Sequence, residues 1–306
     1  MSRILVTGSA GFIGGALVKR LRSEGFEVAE FDLAQGDITR EGALDQFTGI
    51  THCFHLAGKT FVPESWKHPQ GFYQVNLMGT VNVLEYCRKN GIPLTYVASY
   101  LYGEPEYLPV DENHPVKSYN PYSHSKVMAD NTCQFYARQF GLPVTIFRPF
   151  NAYGPSQSPL FIVPEIISKF IDPAIPVVEV MDLRPRRDYI YIDDIIEAFL
   201  RSMKKPGGIY NLGSGYSKSV EEIVNLARQY TGIEKPVRAK GNDRPNEIFD
   251  LYADISRAKR ELGWEPVVSF EEGVERCVQV MMDRRTGGQA DRRTGGQADG
   301  WTGYNK

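Results

Sequence analysis

The chain lacks any apolar run approaching the roughly 18–20 residues needed to cross a bilayer, so no membrane-spanning helix and no membrane partner are expected. It has little cysteine. Cys53, Cys87, Cys133 and Cys277 are scattered singly among 306 residues. No C-x-x-C pair and no histidine at metal-ligand spacing accompanies them, so a zinc site is not expected and the metal assignment is none. Isolated thiols of this kind read as reduced, mostly buried groups in a cytoplasmic protein. Excess charge of either sign is also missing, with 35 Lys and Arg against 37 Asp and Glu, a formal −2. A nearly neutral chain has no global basic field to hold nucleic acid and no acidic excess to keep it unfolded. Met1-Ser2-Arg3-Ile4-Leu5-Val6 enters a strand pattern directly, without the charged, apolar and cleavage regions of a leader. What remains, 42% hydrophobic and 24% charged residues, is the composition of a globular enzyme.

The first half alternates short β-branched runs with helical periods, the pattern of a parallel sheet. Strands are expected at Arg3–Thr7, Glu27–Asp32, Thr51–Leu56, Leu94–Ser99 and Val144–Arg148. Helices are expected from the first glycine-rich turn to about Glu24, at Gly71–Lys89, and at Tyr122–Phe140, the last closed by Gly141. Right-handed βα crossovers then give a doubly wound sheet. After Pro149, prolines at 155, 159, 164, 173 and 176 break the chain into short pieces, including a helix at Pro164–Phe170. Asp188–Met203 reads as a strand–helix unit returning to the core. Further helices are expected near 219–231, 255–262 and Phe270–Met282. The division is therefore discontinuous: 1–150 with a return near 186–212 forms one domain, and 151–185 with 213–282 a smaller lobe. The tail, 283–306, repeats DRRTGGQA at Asp283–Ala290 and Asp291–Ala298. Its glycine and charge cannot bury a core, so it reads as a solvated segment without chemistry.

Thr7-Gly8-Ser9-Ala10-Gly11-Phe12-Ile13-Gly14 spaces its glycines G-x-x-G-x-x-G between a strand and a helix. Gly8 permits the tight turn, Gly11 the approach of a pyrophosphate, and Gly14 the packing of helix on strand, while Phe12 and Ile13 open the helix. The helix N-terminus offers free N–H groups to the phosphates. That context makes the run a dinucleotide-binding loop. Asp32 follows Gly14 by eighteen residues, at the end of strand two. A carboxylate there accepts both adenosine ribose hydroxyls and repels a 2′-phosphate. No Arg or Lys occurs between Arg22 and Arg40, which favours NAD over NADP.

Tyr122-Ser123-His124-Ser125-Lys126 puts a phenol and an ammonium at i and i+4 on one helix face. Tyrosine titrates near pH 10 and needs help to act as a base. A neighbouring ammonium favours the phenolate, and Lys126 can also hold the nicotinamide ribose.

With these motifs in place, the sequence resembles the extended short-chain dehydrogenase/reductases, specifically the nucleotide-sugar epimerases, dehydratases and 4-keto reductases. The resemblance runs from Arg3 to about Val278. It implies an α/β fold, a Rossmann-type doubly wound parallel sheet with a smaller C-terminal substrate-binding lobe. Gly36-Asp37-Ile38 resembles the turn that contacts adenine, and His55-Leu56-Ala57-Gly58 the strand end lining the cofactor. Asn76 matches the asparagine that supports the active site. Pro121-Tyr122-Ser123-His124-Ser125-Lys126 fits the start of the catalytic helix. Arg148-Pro149-Phe150-Asn151-Ala152-Tyr153-Gly154-Pro155 resembles the segment whose asparagine, here Asn151, contacts a sugar diphosphate. Arg187-Asp188-Tyr189-Ile190 and Arg244-Pro245-Asn246-Glu247 resemble two segments whose arginines pair with the diphosphate and whose acid, Glu247, reaches a ribose. Convergent arginines suit a diphosphate because the guanidinium fork gives charge-assisted hydrogen bonds. The resemblance also implies a homodimer built on the helices at 71–89 and 122–140.

One position departs from the pattern. The hydroxyl residue expected five positions before the glycine of Ala98-Ser99-Tyr100-Leu101-Tyr102-Gly103 is Ala98, and Ser99 comes one residue later. Along a strand that shift points the side chain to the opposite face, unless the strand ends and the turn restores it. Tyr100 and Leu101 stand where the dehydratases and decarboxylases carry acids, which lowers both reactions in rank. Two reactions remain, each moving hydride between sugar C4 and NAD, with a nucleoside-diphosphate sugar as the substrate partner. Epimerisation at C4 fits Asp32 and tightly held NAD. Reduction of a 4-keto-6-deoxy sugar fits the short Asp32–Asp37 connection and the run His55–Pro63. A non-catalytic NAD-sensing regulator is the rival of another class. Tyr122 with Lys126 argues against it, and Ala98 for it.

Overall fold

The computed structural model of the protein describes residues 2–241 and 248–293, with side chains as far as residue 285. The first unit runs β1 (Arg3–Thr7), α1 (Phe12–Ser23), β2 (Glu27–Phe31) and β3 (Ile50–His55). A crossover follows, built from α2 (Val62–Lys67), α3 (Pro69–Phe72), a π-helical stretch at Tyr73–Met78, and α4 (Gly79–Asn90). Then come β4 (Leu94–Val97), α5 (Pro121–Phe140), β5 (Val144–Pro149), β6 (Asn151–Tyr153), α6 (Ile162–Ile171), β7 (Val178–Val180), β8 (Arg186–Arg187), β9 (Tyr189–Tyr191) and α7 (Ile192–Lys204). The chain continues with β10 (Gly208–Leu212), β11 (Lys218–Ser219), α8 (Val220–Thr231), β12 (Val237–Ala239), α9 (Ser256–Leu262) and α10 (Phe270–Arg293).

Six strands form one parallel sheet in the order β10-β5-β4-β3-β1-β2. Its strands read as nearly continuous apolar runs because both faces are covered. Ile4, Val6, Phe54 and Phe147 face a core shared with α1, α6 and α7. Leu5, Cys53, Leu94, Tyr96 and Ile146 face a second core completed by Val83, Cys87, Ala129 and Cys133 of α4 and α5. The strand order reverses at β1, with β2 on one side and β3 on the other. At such a switch point the loops after the two strands part and leave a crevice. The carboxyl ends of β1 and β3 therefore place the glycine-rich loop and Leu56–Gly58 side by side.

Three expectations need correction. The helix placed at Gly71–Lys89 starts at Pro69 and carries the π-helical turn around Asn76. Such turns widen the hydrogen-bond ladder by one residue, a feature that periodicity does not encode. The strand of the Asp188–Met203 unit does not join the main sheet. It pairs with β6, and the returning strand is β10, beside β5. Finally, the last helix passes Met282 and runs to Arg293 through the first DRRTGGQA copy. The remainder of the repeat lies outside the described residues.

Candidate active site

The cofactor side is built by close backbone contact. Gly8 has φ +70°, and a Cβ there would lie 2.6 Å from the Ala57 backbone nitrogen. A Cβ on Gly14 would lie 2.0 Å from the Gly8 carbonyl oxygen. Only glycine lets β1, its turn and α1 pack this tightly. Gly11 stands at the N-cap of α1, no side chain caps it, and no acid occupies the first turn, where Phe12 and Ile13 lie. The first N–H groups of α1 are thus left to an anion, which a capping side chain would otherwise satisfy. Asp32 sits just past β2, its Oδ2 accepting from the Ala10 backbone nitrogen at 2.9 Å and its Oδ1 from Leu33 at 2.8 Å. The acid and the phosphate loop are therefore adjacent, the arrangement that a dinucleotide ribose next to its pyrophosphate requires. Asp37 accepts from the Thr39 backbone and hydroxyl at 2.9 and 2.8 Å, which hold its carboxyl below the ordinary range. Ile38 is buried and packs on Gly79 of α4, where a Cβ would come within 2.9 Å of it.

A buried chain of polar groups joins this cradle to Asn76. The Ala57 N–H donates to Thr7 Oγ1 at 3.3 Å, and Thr7 Oγ1 lies 2.8 Å from His55 Nδ1. His55 Nε2 lies 3.0 Å from Thr80 Oγ1, which donates to the Asn76 carbonyl at 2.6 Å. That last bond consumes the Thr80 proton, so His55 donates through Nε2 and accepts at Nδ1 from Thr7; this assigns the neutral tautomer. Complete burial, with the Lys126 charge second, pushes His55 down to about 3. Asn76 is 1% exposed. Its Oδ1 accepts from Lys59 N at 2.8 Å, and its Nδ2 donates to Lys59 O at 3.1 Å and Ser125 Oγ at 2.9 Å. The π-helical turn thus ties the segment after β3 to α5. Gly58 lies against the same groups, its missing Cβ 3.1 Å from Asn76 Oδ1 and 3.6 Å from Lys126 Nζ.

Sequence sets the start of α5 sharply. Asn120 Oδ1 accepts from Ser123 N at 2.8 Å, Asn120 N donates in return to Ser123 Oγ at 3.3 Å, and Pro121 occupies the first turn. This capping box fixes the turn carrying Tyr122. Asp130, two turns further, binds Arg148 of β5 through both oxygens at 3.0 Å, and both residues are buried. Lys126 is 5% exposed. Its Nζ donates to the Val97 carbonyl at 2.8 Å and lies 5.0 Å from the Tyr96 ring centre. Burial pulls Lys126 down to about 8, while Cys133 and Asp130 act in the opposite direction. Burial also raises the Tyr122 hydroxyl. The Ser99 side chain acts against that rise. The sequence leaves two placements open for Ser99, the opposite face or one restored by the turn beyond the strand. β4 ends at Val97, so strand parity no longer governs the next residues; Ala98 packs into the core, and the Ser99 side chain counters the effect of burial on the Tyr122 hydroxyl.

On the other side of the crevice, Tyr100 stacks on Phe150 at 5.7 Å. Asn151 donates through both its backbone N and Nδ2 to the Asp188 carbonyl, at 3.0 and 2.9 Å. Arg187 Nη1 donates to the carbonyls of Arg186, at 2.8 Å, and Ile248. The structure thus ties Asn151 of β6 to Asp188, the residue that follows Arg187 of β8, while Arg244 and Glu247 lie outside the described residues. The Thr7–His55–Thr80 chain escaped sequence reasoning. Its one available signal was a polar residue closing each of two neighbouring strands, Thr7 and His55, which are register partners.

Comparison with known proteins is consistent with this geometry. Residues 4–213 match the NAD dependent epimerase/dehydratase family. The chain is 32% identical to a putative UDP-glucose 4-epimerase of Methanocaldococcus jannaschii, over 91% of this chain and 98% of the relative. It is 27% identical to the GDP-6-deoxy-D-mannose reductase of Pseudomonas aeruginosa, over 89% and 94%. Among solved structures, the Thermotoga maritima UDP-glucose 4-epimerase with UDP-glucose superimposes with a TM-score of 0.85, at 28% identity over 92% and 99% of the two chains.

Proposed function

We propose that this chain, which belongs to the NAD dependent epimerase/dehydratase family, is an NAD-dependent enzyme that inverts C4 of a nucleoside-diphosphate sugar. The single observation that carries the reading is the capped start of α5, which sets Tyr122 one turn before the buried Lys126, whose Nζ lies 3.6 Å from the missing Cβ of Gly58 at the switch-point crevice. It is supported by likeness to proteins named UDP-glucose 4-epimerase.

In this reading Gly8, Gly11, Phe12, Ile13 and Gly14 cradle the pyrophosphate at the α1 N-terminus. Asp32 takes the ribose hydroxyls, and Asp37 and Ile38 border the adenine. Leu56, Ala57 and Gly58, backed by Asn76, border the nicotinamide. When bound, NAD supplies the hydride acceptor and donor for C4. Tyr122 removes the C4 hydroxyl proton and later returns it. Ser99 holds the same oxygen and offsets part of the cost of the buried phenolate. Lys126, whose charge burial has made labile, supports the phenolate and the ribose. Asn151, Arg187, Arg244 and Glu247 anchor the nucleoside diphosphate. We assign the cofactor to 1–150 with 186–212 and the sugar nucleotide to 151–185 with 213–282.

A second reading, reduction of a nucleotide 4-keto-6-deoxy sugar, is favoured by one observation, the likeness to GDP-6-deoxy-D-mannose reductase. That reaction runs only the return half, on external NADH. We further propose a homodimer, because Tyr73, Leu77, Met78 and Met128 of the 69–90 and 121–140 helices surround one apolar depression. Four buried free thiols fit a cytoplasmic location. The test is to incubate the purified protein with UDP-glucose and no added cofactor. The epimerase reading expects copurified NAD and a C4-inverted product by NMR. No turnover without NADH and a 4-keto substrate would overturn it in favour of the reductase.

A further inference from the structure

Among the described residues, three segments of the proposed sugar-nucleotide wall that are far apart in sequence attach to one residue. Asp188 is 0% exposed. Its carbonyl accepts both Asn151 bonds, at 3.0 and 2.9 Å, and its N–H donates to the Leu251 carbonyl at 2.9 Å. Its carboxylate collects four donors: Ser214 N at 2.6 Å, Ser214 Oγ at 2.7 Å, Gly215 N at 3.1 Å and Ala253 N at 3.1 Å. Among the described residues no cation pairs with it. Burial pushes its carboxyl up, and these donors pull it back. A buried carboxylate without a counter-charge is expensive unless its oxygens are filled, and here they are filled from two loops at once.

The consequence is geometric. The backbone of Asp188 carries Arg187 on one side and receives Asn151 from β6. Its carboxylate closes the turn after β10, where a Cβ on Gly213 would lie 2.4 Å from Oδ2. The same carboxylate holds Ala253, and Leu251 and Ala253 share a small core with Tyr102, Val110 and Phe150. This anchors the stretch that leads out of Arg244–Glu247. We propose that Asp188 is the positioning residue of the nucleoside-diphosphate site, fixing the spacing of Asn151, Arg187 and the 248–253 stretch without touching the ligand. The proposal rests on the sugar-nucleotide reading above and adds to it the residue that sets the site's shape.

Asp188→Asn keeps the volume but turns an amino group toward N–H donors that then have no acceptor. Misplacing binding groups by an ångström costs about a hundredfold in favourable cases. The expected result is a KM for UDP-glucose, and a Kd for UDP by calorimetry, raised about tenfold or more. The value of kcat at saturation and the Kd for NAD should stay within about twofold, the split that marks lost uniform binding. Ser214→Ala, which removes one of the four donors and should fold in any case, is expected to weaken UDP binding by about threefold, about 0.65 kcal/mol. Equal losses of NAD and UDP affinity would mark a merely structural role and overturn the proposal. So would unchanged UDP affinity in both variants. A parent protein that binds no nucleoside diphosphate would instead overturn the substrate reading, which separates the two failures.

Discussion

The two walls of the crevice are built on different principles. The wall proposed for the cofactor is local: Gly8, Gly11 and Gly14 fall within seven consecutive residues, and their close packing follows from the strand–turn–helix that contains them. The wall proposed for the sugar diphosphate is assembled from β6, β8, the turn after β10 and the 248–253 stretch, joined through Asp188. The first wall has backbone contacts so close that side chains are excluded. The second has side chains held by hydrogen bonds across long sequence separations. A short motif can be shared by many chemistries, whereas an assembled wall can change its ligand by moving one segment. Two walls built so differently lead us to expect that cofactor choice and substrate choice are separable in this protein, and each of the following tests presses on that separation.

The largest effect belongs to the joint between the walls. Tyr122→Phe should lower kcat by about 10²–10⁴-fold while leaving both ligands bound, because only the proton acceptor is lost. Normal turnover in that variant would remove the mechanism altogether. Next, Arg187→Ala should weaken UDP by about 1.5–3 kcal/mol, the range for hydrogen bonds to charged groups, with NAD affinity unmoved in the same titration. A parallel loss of NAD would break the separation. Ser99→Ala should cost about 10–100-fold in turnover, the low end of acid–base effects; steady-state rates near those of the parent would return the role to an ordered water. On the cofactor wall alone, NAD should bind at least about tenfold tighter than NADP. Asp32→Ala should narrow that ratio without changing the Kd for UDP.

The smallest effect concerns Lys126, held near about 8 against an ordinary 10.5 chiefly by burial. Its folded pKa is depressed, so the unfolded chain binds the extra proton between those values and stability must rise with pH across that window. Burying the charge therefore costs most below pH 8, and progressively less toward 10.5. Urea denaturation of Lys126→Met should show a stability gain over the parent at pH 7 that shrinks by pH 9.5. A gain independent of pH would mean that the lysine is not titrating there.

Much of the sheet was legible because its strands are buried on both faces and bounded by glycine or proline. Arg3–Thr7 needed no adjustment, and α5 moved only from Tyr122 to Pro121. The π-helical turn at Tyr73–Met78 was not legible, since one extra residue in a helical ladder leaves no mark on apolar spacing. Nor was the partner of β9, because three-residue strands carry too little pattern to say which sheet they join.

By itself, the sequence determined the features that depend on neighbours in the chain. Glycine spacing dictates the turn, an acid at the end of β2 meets that turn, and Asn120 with Ser123 caps the helix that carries Tyr122. Only the tertiary structure decided the rest. That Ser99 escapes strand parity depends on where β4 stops pairing with β5. That Lys126 turns to the Val97 carbonyl depends on the packing of α5 over β4. That His55 is neutral, and that Asp188 gathers four donors, depends on segments tens of residues away. The physical reason is the range of the forces. Backbone sterics and capping act within a few residues, whereas burial and hydrogen-bond satisfaction are settled only when distant segments meet and exclude water.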